Sequence, residues 1–249
     1  MQNNMKHGPY DTLAERYDWM QGANPAREQF FRQLFAKHGV RKVLDCACGT
    51  GHDLILFHSM GCEVFASDLS ESMLTQARKN LAEAQLDIPV RQADFCRLPD
   101  RYDTEFDAVV CLTNAINEVL EDAQTMQALR GIRSVLRTGG VLVFDQGQTD
   151  AGMWNPQRFC PVINTPDVTR LLVVDYAGDS ATVNICDFLH TEDKSDFMRA
   201  EVRIRVRLQD SWTQALREAG FSDVAFLGDW DSTPYDKLSS RRLIGVAQK

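Results

Sequence analysis

The chain has 249 residues, of which 44% are hydrophobic and 25% are charged, a composition typical of a folded globular protein rather than a disordered or fibrous one. Lys and Arg number 27 against 35 Asp and Glu, and the resulting net charge of -8 argues against nucleic acid as a partner. No signal peptide is visible and no apolar run approaches the roughly 20 residues of a membrane helix, so we expect a soluble, cytoplasmic protein without membrane association.

The hydrophobic spacing predicts two helices in the first forty residues, with a break at Gly22–Pro25 and an end at Gly39. Strands and helices then alternate, which is typical of parallel strands with helices on both faces of a sheet. The predicted segments are strand 42–46, helix 52–60, strand 62–67, helix 71–85, strands 88–93 and 106–112, helix 121–136 and strand 140–145.

The pattern changes after the fifth strand. Three successive strands, at 168–176, 181–190 and 197–208, have no helix between them and predict an antiparallel insertion. A helix at 210–219 and strands at 222–227 and 241–248 complete the chain. The expected fold class is therefore α/β, with a doubly wound, seven-stranded, mostly parallel Rossmann-like sheet and a small antiparallel insertion after strand five. We expect one domain over 1–249, with a helical cap at 1–40, a cofactor-binding core at 41–150, the insertion at 165–209 and the rest of the core at 210–249.

The turn after the first strand contains Gly49 and Gly51 and leads into a helix. Ligands bind at the carboxyl ends of the strands in doubly wound sheets, and glycine allows backbone to approach them closely. The next strand ends at Asp68, 17 residues after Gly51, a spacing that suits a carboxylate bound to ribose hydroxyls. The third strand ends at Asp94 and Phe95, which can meet an adenine amino group and ring or, alternatively, cap a helix and fill the core.

The seven cysteines are an odd number, and only Cys46 and Cys48 are closely spaced, without a second pair at zinc spacing. We therefore expect reduced thiols and no metal site. None of the five histidines forms a predicted catalytic triad.

Five segments together resemble the motifs and strands of the class I S-adenosylmethionine-dependent methyltransferases: VLDCACGTGHDL, ASDLSESMLTQAR, RQADFCRLP, FDAVVCLTNAINEVL and LRTGGVLVFD. The resemblance runs in order through residues 1–249 and includes the final strand. Within the family, the chain is most similar to small-molecule N-methyltransferases of the glycine and sarcosine type. The resemblance implies that the chain transfers a methyl group from S-adenosylmethionine to a small molecule and releases S-adenosylhomocysteine. Nitrogen is the expected target, and oxygen and sulfur acceptors remain open.

The motifs also imply positions for the cofactor. They place Ala47 and Gly49 beside its methionine portion and Asp68 on its ribose. Asp94 and Phe95 would meet the adenine.

The fourth strand implies Leu112 beside the sulfonium and Asn114, the candidate catalytic residue, facing the acceptor. The N-terminal helix of such enzymes closes over the cofactor with aromatic residues and an arginine. The further cofactor-binding residues that the resemblance implies are Tyr10, Tyr17, Trp19, Arg27, Asp45, Gly51, Leu69 and Met73; for Arg27 a surface position is an equal alternative.

The chain departs from the glycine-type enzymes after the fifth strand, where Gly147 stands in place of an arginine that holds the acceptor carboxylate. Glycine is therefore expected to be a poor acceptor, unless Arg158, Arg170 or a strand arginine supplies the charge. Two alternatives remain open: a nicotinamide dehydrogenase, although Leu54 stands where the third fingerprint glycine belongs, and a catalytically silent cofactor-binding protein. The sequence also leaves homo-oligomer formation open.

Overall fold

A computed structural model describes residues 8–20 and 22–249 of the chain. Its strands are β1 Lys42–Asp45, β2 Glu63–Asp68, β3 Val90–Gln92, β4 Phe106–Cys111, β5 Leu136–Gln146, β6 Phe159–Asn164, β7 Val168–Ala177, β8 Ser180–His190, β9 Ser195–Arg205, β10 Ser222–Leu227 and β11 Leu243–Gln248. Its helices are α1 Pro9–Tyr17, α2 Pro25–His38, α3 His52–Ser59, α4 Glu71–Glu83, α5 Asp122–Val135, α6 Asp150–Trp154 and α7 Gln209–Glu218.

Seven strands form the main sheet in the order β3-β2-β1-β4-β5-β11-β10. The pairs from β3 to β5 are parallel, whereas β11 runs antiparallel to both β5 and β10. The strand order reverses at β1, because β2 and β3 lie on one side of it and β4 and β5 on the other. Such a switch point opens a crevice at the carboxyl ends of the strands. The predicted mixed α/β sheet is confirmed.

Successive residues of the central strands face opposite layers, as the alternation of side chains in a strand requires. In β4, Ala108 and Val110 pack into the layer that contains α2, α3 and α4. Val109 packs into the layer that contains α5 and α7. Both layers are apolar and buried, so the parallel strands read as nearly continuous hydrophobic runs. At Gly245 a Cβ atom would lie 2.2 Å from the Phe144 ring, which explains glycine at this position in β11.

The inserted sheet has four antiparallel strands, β6 to β9, rather than the three predicted. The missed strand, β6, lies at the edge of the sheet, has no fully buried residue and contains Pro161. Proline is tolerated at sheet edges but weakens a sequence pattern for a strand. The last inserted strand ends at Arg205, so the predicted end at residue 208 is wrong by three residues.

Helix α1 lies between the inserted sheet and α4. Its Leu13 is fully buried in the apolar cluster of the inserted sheet, and the Ser72 hydroxyl donates a hydrogen bond to Asp11 Oδ1 at 2.6 Å. Within the part of the chain that the structure describes, no helix is long and apolar enough to cross a membrane.

Candidate active site

The turn between β1 and α3 is built from backbone. Gly49 and Gly51 have φ angles of 53° and 83°, a left-handed conformation that strongly favours glycine. The backbone N–H of Cys46 donates to the end of β4 at 3.1 Å, and that of Cys48 donates to the end of β2 at 3.0 Å. The turn is therefore fixed to both neighbouring strands at the edge where the crevice opens.

Asp68, at the end of β2, is bound to this turn. Its Oδ2 accepts a hydrogen bond from the Gly49 N–H at 2.9 Å, and its Oδ1 accepts one from the Ser70 N–H at 2.8 Å. Burial raises the pKa of Asp68, and the hydrogen bonds from Ser70 and Gly49 oppose that rise. A carboxylate oxygen can accept more than one hydrogen bond, so both oxygens keep capacity for a ligand.

Asp94 caps a helix and also lies at the cavity. Its Oδ1 accepts a hydrogen bond from the Cys96 N–H at 2.8 Å and so caps the 3-10 helix Phe95–Asp100. Both Asp94 and Phe95 also line the cavity described next. Phe95 packs in addition against the apolar layer beneath α5.

A cavity of about 800 Å³ lies over the carboxyl ends of β1, β2 and β4, beneath α1. Its volume is within the roughly 300 to 1,000 Å³ of small-molecule sites. Among the described residues, six carboxylates line it, against one arginine and one histidine. The predicted site residues that line it are Tyr10, Tyr17, Ala47, Gly49, Asp68, Leu69, Met73, Asp94, Phe95 and Leu112.

Helix α1 covers the cavity with two tyrosines. The rings of Tyr10 and Tyr17 meet edge to face, with centroids 6.5 Å apart. The Tyr10 hydroxyl donates a hydrogen bond to Glu118 Oε1, and burial raises the pKa of both tyrosines, so both hydroxyls stay protonated.

Trp19 and Arg27 do not line the cavity. The Trp19 ring instead lies under the guanidinium groups of Arg16 and Arg170, at 5.4 and 5.7 Å. Arg27 pairs with the cavity residue Asp53 at 2.6 Å. Arg27 thus contacts a residue that lines the cavity but does not line the cavity itself.

Asp45, Gly51 and Asn114 also lie behind the cavity wall. Asp45 is buried, and its Oδ1 accepts a hydrogen bond from the Ala47 N–H at 3.3 Å. Gly51 is the N-cap of α3. Asn114 Oδ1 accepts from the Gly147 N–H at 3.2 Å, so the side chain of Asn114 joins the loops after β4 and β5.

Sequence reasoning did not single out Glu118, which ends the 3-10 turn Ala115–Glu118 and lines the cavity. Burial is the largest cause that raises the pKa of Glu118, to about 7, and the charge of Asp68 adds to it. The hydrogen bond from Tyr10 has the opposite, smaller effect. Glu118 lies within one of the segments that resemble the family. Because it ends an irregular turn, no hydrophobic periodicity in the sequence predicts where its side chain lies.

Known proteins match this chain in sequence and fold. A family model described as a methyltransferase domain matches residues 43–140. A glycine/sarcosine N-methyltransferase from Parasynechococcus marenigrum is 35% identical over 133 residues, which span 53% of this chain and 47% of that enzyme. An enzyme of the same name from Aphanothece halophytica is 28% identical over 256 residues, covering 100% of this chain and 91% of that enzyme.

The crystal structure of an S-adenosylmethionine-dependent methyltransferase from Clostridium acetobutylicum has a TM-score of 0.81 at 17% identity, covering 96% of this chain and 98% of that one. The chain belongs to the class I S-adenosylmethionine-dependent methyltransferases. The family resemblance predicted from the motifs is thereby confirmed. Leu54, in the position of the third dinucleotide glycine, is fully buried in the core of this methyltransferase.

The cavity of the methyltransferase suits the family's cofactor chemically. S-adenosylmethionine carries hydroxyl and amino groups that donate hydrogen bonds and a positively charged sulfonium, and the cavity offers carboxylate acceptors and negative charge. Asp53 adds a buried Oδ1 that has no hydrogen-bond partner among residues 8–20 and 22–249. A buried acceptor without a donor is costly, and a bound amino or hydroxyl group would satisfy it. Over the same residues, no group of three or more His, Cys, Asp or Glu side chains is placed to hold a metal ion.

Proposed function

We propose that this methyltransferase transfers the methyl group of S-adenosylmethionine to the nitrogen of a small-molecule amine. The observation that carries the proposal is the convergence of three strand ends on one acidic cavity: the glycine turn after β1, Asp68 after β2 and Asp94 after β3. The names of the two relatives, both N-methyltransferases, support nitrogen as the target.

In this proposal the cofactor follows the strand ends. Asp68 accepts the ribose hydroxyls, Asp94 accepts the adenine amino group, and Phe95 lies against the base. The turn at Ala47 and Gly49 borders the methionine portion, as expected where glycine lets the backbone approach a ligand.

Leu112 borders the sulfonium, and Asn114 holds the loop beside the acceptor. S-adenosylmethionine supplies a methyl group that is already activated, so the protein's main tasks are to align the nucleophile and to exclude water. Tyr10 and Tyr17 perform the second task, because they close the cavity from α1.

The charge of the cavity favours an acceptor without a carboxylate. Arg97 is the one arginine among its described lining residues, and it pairs with Asp100 at 2.8 Å. Arg170 is fully buried against Asp187, and Arg158 pairs with Asp175 on the surface. Arg158 and Arg170, which could have replaced the arginine missing after β5, therefore bind other partners. A cationic amine suits the acidic lining of the cavity better than an amino acid does.

Two measurements test the proposal. Calorimetry should detect binding of S-adenosylhomocysteine and none of NAD. Incubation with S-adenosylmethionine labelled in the methyl group, together with a panel of small amines, alcohols and thiols, should label amines. Transfer only to alcohols or thiols would contradict nitrogen as the target, and cofactor binding without transfer to any acceptor would favour a silent cofactor-binding protein.

A further inference from the structure

The acidic side chain of Glu118 lines the cavity and has no task in cofactor binding as proposed above. Glu118 lines the cavity together with Leu112 and Tyr10, and the Tyr10 hydroxyl donates a hydrogen bond to its Oε1. Within the described ranges the carboxylate forms no ion pair with a lysine, arginine or histidine. Glu118 is thus held by one neutral hydroxyl, and its charge is left for a ligand to neutralise.

We propose that Glu118 binds the ammonium group of the methyl acceptor and accepts its proton, and that Tyr10 positions the Glu118 carboxylate for this task. The inference rests on the proposed methylation of an amine. It narrows the acceptors to amines that are protonated in solution, such as primary and secondary alkylamines, and it gives the cavity a base.

The surroundings of Glu118 suit a cationic ligand. Tyr10 and Tyr17 face it from α1, and the carboxylate of Asp68 faces it from the end of β2. Arg207, which follows β9, does not neutralise Glu118. Its guanidinium donates a hydrogen bond to the backbone carbonyl of Val119, the residue after Glu118, and pairs with Asp122 of α5. An ammonium group entering the cavity therefore meets uncompensated negative charge.

The proposed step balances in atoms and charge. The ammonium R–NH3⁺ transfers one proton to the carboxylate of Glu118, which becomes a neutral acid, and the nitrogen regains its lone pair. That lone pair forms the N–C bond to the methyl carbon while the C–S bond breaks and its electron pair stays on sulfur. The products are a methylated ammonium and S-adenosylhomocysteine, and the proton on Glu118 then leaves to solvent.

The same arrangement separates nitrogen from oxygen acceptors. Burial and the charge of Asp68 bring the pKa of Glu118 to about 7, whereas an alkylammonium has a pKa of about 10.4. The proton transfer spans about three pKa units, within reach of a general base. A hydroxyl with a pKa near that of water, about 15.7, is more than eight units away. A carboxylate can therefore assist amines but not alcohols.

The test uses Glu118→Gln, which keeps the shape and removes the basicity, and Glu121→Gln as a matched control at an exposed position outside the cavity. Calorimetry should give Glu118→Gln the wild-type affinity for S-adenosylhomocysteine. Titration of an amine substrate into the S-adenosylhomocysteine complex should show amine binding weakened roughly tenfold or more, since the ion pair is lost. Turnover of that amine should fall about 10²- to 10⁴-fold, the usual contribution of a general base. Glu121→Gln should match the wild type in all three.

The pH profile separates a base from a structural role. For the wild type, kcat/KM should rise with pH through a limb near the pKa of Glu118 and fall above the pKa of the amine, and Glu118→Gln should lack the lower limb. Tyr10→Phe removes the hydrogen bond that favours the carboxylate, so its limb should move to higher pH.

The outcomes distinguish the role of Glu118 from the proposed methylation of an amine. A Glu118→Gln enzyme with wild-type turnover and pH profile, or one that has lost S-adenosylhomocysteine, would overturn the role of Glu118 and leave the proposed amine methylation intact. A wild-type enzyme that labels no amine would overturn both.

Discussion

Both carboxylate oxygens of Asp68 accept hydrogen bonds from the polypeptide itself, one from the N–H of Gly49 and one from the N–H of Ser70. Those bonds aim the carboxylate into the cavity. With two ribose hydroxyls added, it would make charge-assisted hydrogen bonds, each worth roughly 1.5 to 3 kcal/mol.

Asp68→Ala should therefore weaken binding of S-adenosylhomocysteine by roughly 10- to 100-fold, the equivalent of losing at least one such bond. Asp68→Asn, which keeps one oxygen acceptor, should have an intermediate affinity. Isothermal titration calorimetry measures both, and Asp87→Ala, on an exposed loop away from the cavity, is the control. Unchanged affinity in a folded Asp68→Ala protein would mean that Asp68 only fixes the turn.

At the scale of single residues, the sequence predicted best those side chains that lie next to a strand end. The position of Asp68 or Asp94 follows from the end of its strand, because parallel strands bring their carboxyl ends to one edge. Trp19 and Arg27 depend on how α1 and α2 pack against distant residues, and their side chains turn to Arg170 and Asp53 instead of the cavity. No local pattern in the sequence fixes such contacts.

Among the elements, the core helices and strands were predictable because their apolar periodicity is strong and buried on both sheet faces. The predicted start of the fifth strand at residue 140 is wrong, since β5 begins at Leu136. Strand β6 was not, since an edge strand with little burial has little alternation to read. Helix α1 was predicted from the helical spacing of Tyr10, Leu13, Ala14 and Tyr17, but its position between α4 and the inserted sheet arises from long-range packing.

The loop after β5 bears on acceptor choice. Gly147 is exposed, has an ordinary φ, and a Cβ added there would meet no atom within 4 Å. Its N–H donates to Asn114 on the loop after β4, whose neighbours Thr113 and Ala115 line the cavity. A longer side chain at position 147 therefore has room beside the site.

The wild type should use glycine and sarcosine poorly, because a carboxylate bound without a partner costs on the order of 2 to 5 kcal/mol, or roughly 30-fold to several thousand-fold in affinity. Gly147→Arg should raise kcat/KM for glycine, since a guanidinium can bind the carboxylate. Gly147→Gln, polar but uncharged, is the matched control. Efficient wild-type turnover of glycine at sub-millimolar concentration would contradict this prediction in steady-state kinetics.

Across the whole molecule, a buried ion pair connects the inserted sheet to the N-terminal helix. Arg170 on β7 and Asp187 on β8 are fully buried and 2.5 Å apart, and Arg170 also donates to the Arg16 carbonyl of α1 at 2.9 Å. Since α1 carries the two tyrosines that close the cavity, this pair links the insertion to the site. One guanidinium nitrogen of Arg170 has no hydrogen-bond partner among the described residues.

Replacing one partner of the Arg170–Asp187 pair should lower the free energy of unfolding more than replacing both partners. Arg170→Met leaves Asp187 buried without a cation and should lower the free energy of unfolding by about 3 to 5 kcal/mol. The double variant Arg170→Met with Asp187→Leu should regain most of that loss, since apolar replacement of a whole buried pair is often neutral. Urea denaturation of the two single variants and the double variant measures the coupling. Additive losses would show that the two charges do not stabilise each other.

The acidic cavity also makes the stability of the whole protein depend on pH. Burial raises the pKa of Glu118 to about 7, so the folded protein binds a proton there that the unfolded chain, with a pKa near 4.3, has already released. Stability contributed by neutral Glu118 is therefore complete below about pH 4 and is lost as the pH rises through about 7.

Burial lowers the pKa of His38, which changes stability with pH in the opposite direction. The informative quantity is therefore the difference in unfolding free energy between two proteins that share His38. Relative to Glu118→Gln, the wild type should lose up to about 3 kcal/mol of unfolding free energy between pH 5 and pH 8.5, an amount set by the shift in pKa. Urea denaturation of both proteins at several pH values measures it, and a constant difference would mean that Glu118 titrates normally in the folded protein.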